Sequence, residues 1–173
     1  EMGGLILVNG GSGGILFYNE STGQWSELAR NLPMGEYSNF ATYNPVYKVV
    51  VGGGGLSATN IYKIDRFGNV TTLPNSPVPL NYMQSLFTVD PVSGDYLVFG
   101  SDGSFWTLNL TTNTWTRQPG SNFFDPVNDI TYGHVIQVVH APVSTYGVTM
   151  FVKFNGSAST VYLYKHAPGT GTP

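Results

Sequence analysis

Two stretches ninety residues apart decide the reading: Ile15-Leu16-Phe17-Tyr18-Asn19-Glu20-Ser21-Thr22-Gly23-Gln24-Trp25 and Phe105-Trp106-Thr107-Leu108-Asn109-Leu110-Thr111-Thr112-Asn113-Thr114-Trp115. Each is an apolar run broken at an Asn, carried through small polar residues and resumed at a Trp. β-Branched and aromatic residues favour strands, and Asn, Ser, Thr and Gly favour the turns between them. Each stretch is therefore a hairpin, and the spacing is two periods of 45. The copy expected midway is present as Ile61-Tyr62-Lys63-Ile64-Asp65, Arg66-Phe67-Gly68-Asn69 and Val70-Thr71-Thr72, with a shorter turn and Val70 in place of Trp.

A second motif precedes the hairpins. Phe40 to Asn44 leads into Pro45-Val46, Leu86 to Asp90 into Pro91-Val92, and Val135 to Ala141 into Pro142-Val143, each followed by a β-branched or aromatic run such as Val49-Val50-Val51. Each reads as a strand, an x-Pro-Val turn and a second strand. The unit is thus four short strands in about 45 residues, which is the arithmetic of a β-propeller blade. A sandwich or β-solenoid does not demand the same turn residues at that period. The expected fold class is all-β, a β-propeller of four-stranded antiparallel blades. Fourteen strands are expected, beginning on the second strand of one blade and ending on the third of another, or about three and a half blades. The units run over residues 1–34, 35–79, 80–122 and 123–167, and 168–173 reads as a linker-like tail. Such a chain is expected to be part of a larger ring. The missing half would come from the same protein, another chain or a homodimer; a four-bladed ring is the rival reading.

The repeat resembles the kelch family, whose unit combines a double glycine after the second strand, a spaced Tyr and a Trp after the outer turn. Those residues are Gly10-Gly11, Tyr18 and Trp25; Gly52-Gly53, Tyr62 and Val70; and Gly100-Ser101, Trp106 and Trp115. The chain resembles the C-terminal half of a kelch or galactose-oxidase-like propeller, a resemblance that implies a larger ring of seven blades. That resemblance implies a ligand-bearing rim built from the loops that join successive blades and those between second and third strands.

Composition narrows the function. With 7 Lys+Arg against 10 Asp+Glu, the net charge is -3, so no basic footprint exists for a phosphate backbone and nucleic acid is not an expected partner. The chain has no Cys, which removes disulfides, thiolate nucleophiles and Cys-ligated zinc. No run approaches the roughly twenty apolar residues of a membrane-spanning helix. At 41% hydrophobic and 14% aromatic, the chain has ample material for a core.

On the expected rim, Tyr37, Tyr82 and Tyr132 each enter an inner strand, with Asn39, Asn81, Gln84, Asn128 and Asp129 nearby. Aromatic faces beside neutral amides suit sugars, whose C–H faces stack and whose hydroxyls need donors and acceptors. The alternative is that these rings pack between blades, as Trp25, Trp106 and Trp115 are expected to do. Rim carboxylates are few: Asp102, Asp125 and Asp129, with Glu36 close by. Tyr132-Gly133-His134 resembles the Tyr-His pair of galactose-oxidase-like copper enzymes but departs by one residue. His134 and His140 would lie about 20 Å apart along one strand, too far for one metal. No nucleophile elbow, P-loop or zinc motif is present. No cofactor or metal site is expected, and no catalytic residue is assigned. Asn19, Asn69, Asn109 and Asn155 meet the glycan acceptor pattern. The expected function is a non-catalytic binding or interaction module for carbohydrate or protein, in an extracellular or surface protein. The alternatives are the closing half of a propeller enzyme, copper-radical oxidase-like or a polysaccharide-active hydrolase or lyase, and a structural scaffold.

Overall fold

The computed structural model describes residues 3–81, 85–100, 102–119, 138–155 and 158–165, the side chain of Asn155 excepted. Those residues form fourteen strands: β1 (Gly4–Asn9), β2 (Gly14–Asn19), β3 (Gln24–Ala29), β4 (Asn39–Asn44), β5 (Val49–Gly54), β6 (Ile61–Ile64), β7 (Val70–Thr72), β8 (Ser85–Val89), β9 (Tyr96–Gly100), β10 (Phe105–Asn109), β11 (Thr114–Gln118), β12 (Val138–Val143), β13 (Val148–Asn155) and β14 (Ala158–Lys165). They make four antiparallel meanders, β1-β2-β3, β4-β5-β6-β7, β8-β9-β10-β11 and β12-β13-β14. The second and third sheets are complete units of four, and the first and fourth have three strands each, as the strand count predicts. Inner strands succeed one another: β4 lies against β8, β8 against β12, and β1 against β4 and β5.

Local chemistry makes the hairpins. Asn19 Oδ1 accepts from the Ser21 and Thr22 amides at 2.9 and 3.2 Å, and Asn109 Oδ1 accepts from Thr111 and Thr112 at 2.9 and 3.0 Å. Asp65 does the same for Phe67 and Asn69 in the second sheet. The side chain thus closes a turn its own backbone begins. Asn44 and Asp90 cap the Pro-Val turns in the same manner, accepting from the Val46 amide at 3.0 Å and the Val92 amide at 2.8 Å.

The third Pro-Val pair behaves differently. Pro142 and Val143 lie inside β12, and the reversal comes later, in a 3-10 turn at Ser144–Tyr146 closed by Gly147 at φ 61°. Ala141 has no side-chain oxygen to close an Asx turn. Because β12 is an edge strand, its proline removes no indispensable ladder bond. The kelch-like positions also shift. Counted from the turn residues Asn19, Asp65 and Asn109, the counterpart of Tyr62 and Trp106 is Leu16, which pairs with Leu7; Tyr18 instead pairs with Trp25. Gly10-Gly11 stand in a 3-10 turn beyond β1, whereas Gly52-Gly53 are inside β5.

The core lies between sheets. Val49, Val51 and Ile61 of the second sheet meet Phe87, Val98 and Leu108 of the third. Val50, Tyr62 and Ile64 face back to Ile15 of the first, and Leu97 and Phe99 of the third meet Phe151 of the fourth. Polar links fasten the same contacts. Tyr96 donates to the Thr42 carbonyl at 3.1 Å, Thr149 to that of Val89 at 2.9 Å, and the buried Asn44 amide to that of Gly94 at 2.8 Å.

Asn44 therefore joins a local turn to a neighbouring sheet while wholly buried. Asn44→Ala leaves two amides and one carbonyl without their partner and is expected to cost about 1–3 kcal/mol by urea denaturation. Asn69→Ala, at an exposed turn, is expected to stay within about 0.5 kcal/mol.

Candidate functional site

The loop between β3 and β4 brings Glu36, Tyr37 and Ser38 over the end of β1, where Asn9 and Gly10 stand. Between them is a cavity of about 460 Å³. Glycine is required at its floor: a Cβ on Gly10 would collide with Asn39 Oδ1 and the Gly35 carbonyl, and one on Gly35 with the Gly55 carbonyl. The rim is built from backbone held by backbone. Gly35 donates to the Gly54 carbonyl at 2.9 Å, Leu56 to that of Tyr37 at 3.1 Å, and Gly55 to that of Leu80 at 2.7 Å.

Two of the predicted amides serve this frame. Asn39 Nδ2 donates to the Gly54 carbonyl at 2.9 Å and the Gly35 carbonyl at 3.2 Å. Asn81 is buried, and its Nδ2 donates to the Leu56 carbonyl. One of these acceptors, Gly54, belongs to the segment Gly53–Gly55, all three at positive φ, and Leu56 follows it directly. Tyr37 is otherwise: its side chain is 68% exposed at the mouth of the cavity. Asn9, Ser38 and Glu36 complete the polar lining. Asn9 and Ser38 escaped the sequence reading, although Asn9 immediately precedes the Gly10-Gly11 turn, a place where a strand end must open onto the rim. Tyr82, Gln84, Asn128, Asp129 and Tyr132 lie outside the described residues, as do Asp125, His134 and His166.

A second cavity, of about 440 Å³, opens at the other end of β1 between Gly4, Ile6, Glu20, Ala41 and Tyr43. Tyr43 Oη is buried without a hydrogen-bond partner among the described residues. Among the other titratable groups, Asp102 is held below the usual carboxylate range, mainly by the Ser104 hydroxyl at 2.5 Å. Among the described residues no three of His, Asp and Glu gather where one metal ion could bind them. The acceptor-pattern residues divide. Asn69 is exposed, whereas Asn19 and Asn109 are half-buried in their turns, with Asn109 Nδ2 on Asp95 at 2.9 Å. The backbone of Asn155 ends β13.

Set against known structures, the chain matches whole runs of sheets. TolB from Acinetobacter baumannii superposes over 95% of this chain with a TM-score of 0.56 at 11% identity. A fungal alcohol oxidase of the AA5 family, in complex with copper, covers 99% at TM-score 0.54 and 15% identity. An oligogalacturonate lyase in complex with manganese covers 89% at TM-score 0.51 and 14% identity. The chain is part of a β-propeller. It spans 39%, 40% and 41% of those three chains, so the likeness is one of fold. No protein-family model and no curated protein sequence matches it.

His140, on β12, has Nδ1 buried without a partner among the described residues, and burial lowers its pKa below the ordinary 6.5. The unfolded chain therefore takes up a proton that the folded one resists. The stability this histidine permits is present above pH 6.5 and declines as pH falls below it. The urea midpoint is expected to drop between about pH 7.5 and about pH 5.5, and His140→Gln is expected to flatten that slope.

Proposed function

We propose that this chain is a kelch-like propeller segment that acts as a non-catalytic binding module, presenting the cavity at Tyr37 to a neutral carbohydrate. The observation that carries the reading is the pairing of an exposed phenol with Asn9 and Ser38 around a cavity of about 460 Å³. An aromatic face supplies stacking area at low entropic cost, and neutral donors and acceptors meet hydroxyls without desolvating a full charge. Glu36 adds an acceptor able to take two hydroxyl hydrogens. The rigid glycine frame beneath holds these groups in place before a ligand arrives, which limits the ordering cost of binding. The kelch likeness rests on the Asx-closed outer turns and on Trp25 and Trp115 after them.

An extracellular or surface setting accords with the same features. Lys and Arg total 7 in 173 residues, and four Asn-x-Ser/Thr acceptor patterns occur. Asn69 is exposed at a hairpin tip where a glycan would meet no neighbour's core.

The test is a glycan array followed by titration calorimetry with the best neutral oligosaccharide. Tyr37→Ala is expected to weaken binding at least about tenfold, and Tyr37→Phe to retain most of it because stacking survives. A folded protein silent on the array, or one indifferent to Tyr37→Ala, overturns the carbohydrate reading. Capture of a protein ligand through the same rim residues would replace it.

A further inference from the structure

The seam between the first and second sheets opens into a pocket. Ile6, Phe17 and Ser26 stand in register across β1, β2 and β3 and so share one face. Beside them β3 carries a bulge: Ile15 pairs with Ala29 and Leu16 with Glu27, which leaves Leu28 between them without a partner in the register. A bulge re-aims a side chain, and Leu28 packs on the cluster that holds Tyr62 and Ile64 of the second sheet. The turn after β6 closes down on it. A Cβ on Gly68 would come within 2.9 Å of Leu28 Cδ2, and the φ of 83° at that residue also calls for glycine. Residues 65–68 thus lie over the face of the first sheet, and the pocket between them has a volume of about 170 Å³.

The pocket is apolar within and cationic at its edge. Ile6, Phe17 and Leu28 line it from the first sheet, and Phe67, 75% exposed at the tip of the turn, lines it from the second. Arg66 lies over the Phe67 ring, its guanidinium carbon 4.6 Å from the centroid. A guanidinium held on a ring keeps its in-plane N–H groups free, and those are the donors that grip a carboxylate with two bonds. Among the described residues Arg66 has no acidic partner. Glu27 of β3 is paired with Arg30 at 2.8 Å. Asp65, next to Arg66, spends its carboxylate on its own turn: Oδ1 accepts from the Phe67 and Asn69 amides, and Oδ2 accepts from Asn69 Nδ2 at 2.8 Å.

We infer that this seam docks an extended segment of a partner protein in which an apolar side chain, of leucine or phenylalanine size, stands beside an Asp or Glu. A cavity of about 150 Å³ is enough to hold a benzene ring, so the pocket takes one such side chain. It falls short of the roughly 300 Å³ at which small-molecule sites begin. The adjoining carboxylate meets the Arg66 guanidinium, and the incoming chain covers Phe67. Buried apolar anchors and Arg–carboxylate pairs carry most of the energy at protein interfaces. The net charge of -3 supplies no long-range attraction for an acidic segment, so its recognition falls to Arg66. Walls of Ile, Phe and Leu offer nothing to the hydroxyls of a sugar. The pocket shares no lining residue with the cavity at Tyr37, so this inference and the carbohydrate reading fail separately.

The test pans a phage-displayed library of random dodecapeptides on the 173-residue chain and measures the best synthetic peptide by titration calorimetry. Enrichment of Leu or Phe next to Asp or Glu is expected. Arg66→Gln removes the charge at an exposed position. It is expected to weaken that peptide at least about tenfold, and far less once the peptide's acid is replaced by its amide. Ser26→Phe, at an exposed strand position beside the pocket, is expected to fill the mouth and weaken binding by a similar factor with an unchanged far-ultraviolet circular dichroism spectrum. A library that yields no binder, binders without the apolar-acidic pair, or either variant folded and binding as the wild type does overturns the inference. Octanoate binding as tightly as the peptide, and lost with Arg66→Gln, would make the seam a site for a small acid and overturn it as well.

Discussion

Every sheet of this chain carries apolar side chains on both faces, so none can stand without a neighbour on each side. In β5, Val49 and Val51 turn toward the third sheet while Val50 turns toward the first. A strand buried on both faces reads as a continuous apolar run, not as an alternating one. Tyr96-Leu97-Val98-Phe99 in β9 is such a run, and all four are buried. That demand leaves polar residues few places to go. They collect in turns, where Asn and Asp close the chain on itself, and along the rims, where loops meet.

The hairpins were legible because they are local. An Asx side chain reaches amides two or three residues on, and the distance is written in the sequence. Pro142 shows where the reading stops. The same Pro-Val pair makes a turn after Asn44 and Asp90 but runs on as strand after Ala141, because the acceptor one residue earlier decides it. The Tyr18 and Tyr62 correspondence failed for a related reason. Glycines near a strand end mark either the strand or the turn beyond it, and only register tells which. Links between sheets, such as Asn44 to Gly94 across fifty residues, have no local signature.

At the rim the sequence supplied the right residue types and, in two cases, the wrong use for them. Tyr37 stands exposed on the predicted face. Asn39 and Asn81, read as groups for a ligand, spend their amides on carbonyls of the protein. Buried carbonyls must find donors, and those of Gly54, in a run of three glycines at positive φ, and of Leu56, just beyond it, find them in Asn39 and Asn81. Conversely, Asn9 and Ser38 reach the cavity only because the loop after β3 folds back over the end of β1, a placement set by hydrogen bonds such as Leu32 to Gly13 and Gly35 to Gly54, each between residues nineteen apart.

Both cavities lie beside β1. In the second, third and fourth sheets the strand that follows the inner one is flanked by it: β5 by β4, β9 by β8, β13 by β12. Among the described residues β1 is itself the edge of the first sheet, and β4 lies against it. The cavity at Tyr37 is lined by Leu7 to Gly10 and the one at Tyr43 by Gly3 to Ile6, so both lie along β1 and the residues flanking it. An unpaired strand edge is a template for another strand, and Tyr43, which lines the second cavity, has its Oη buried without a partner among the described residues. Binding at Tyr37 and addition of a strand along β1 would therefore draw on overlapping space.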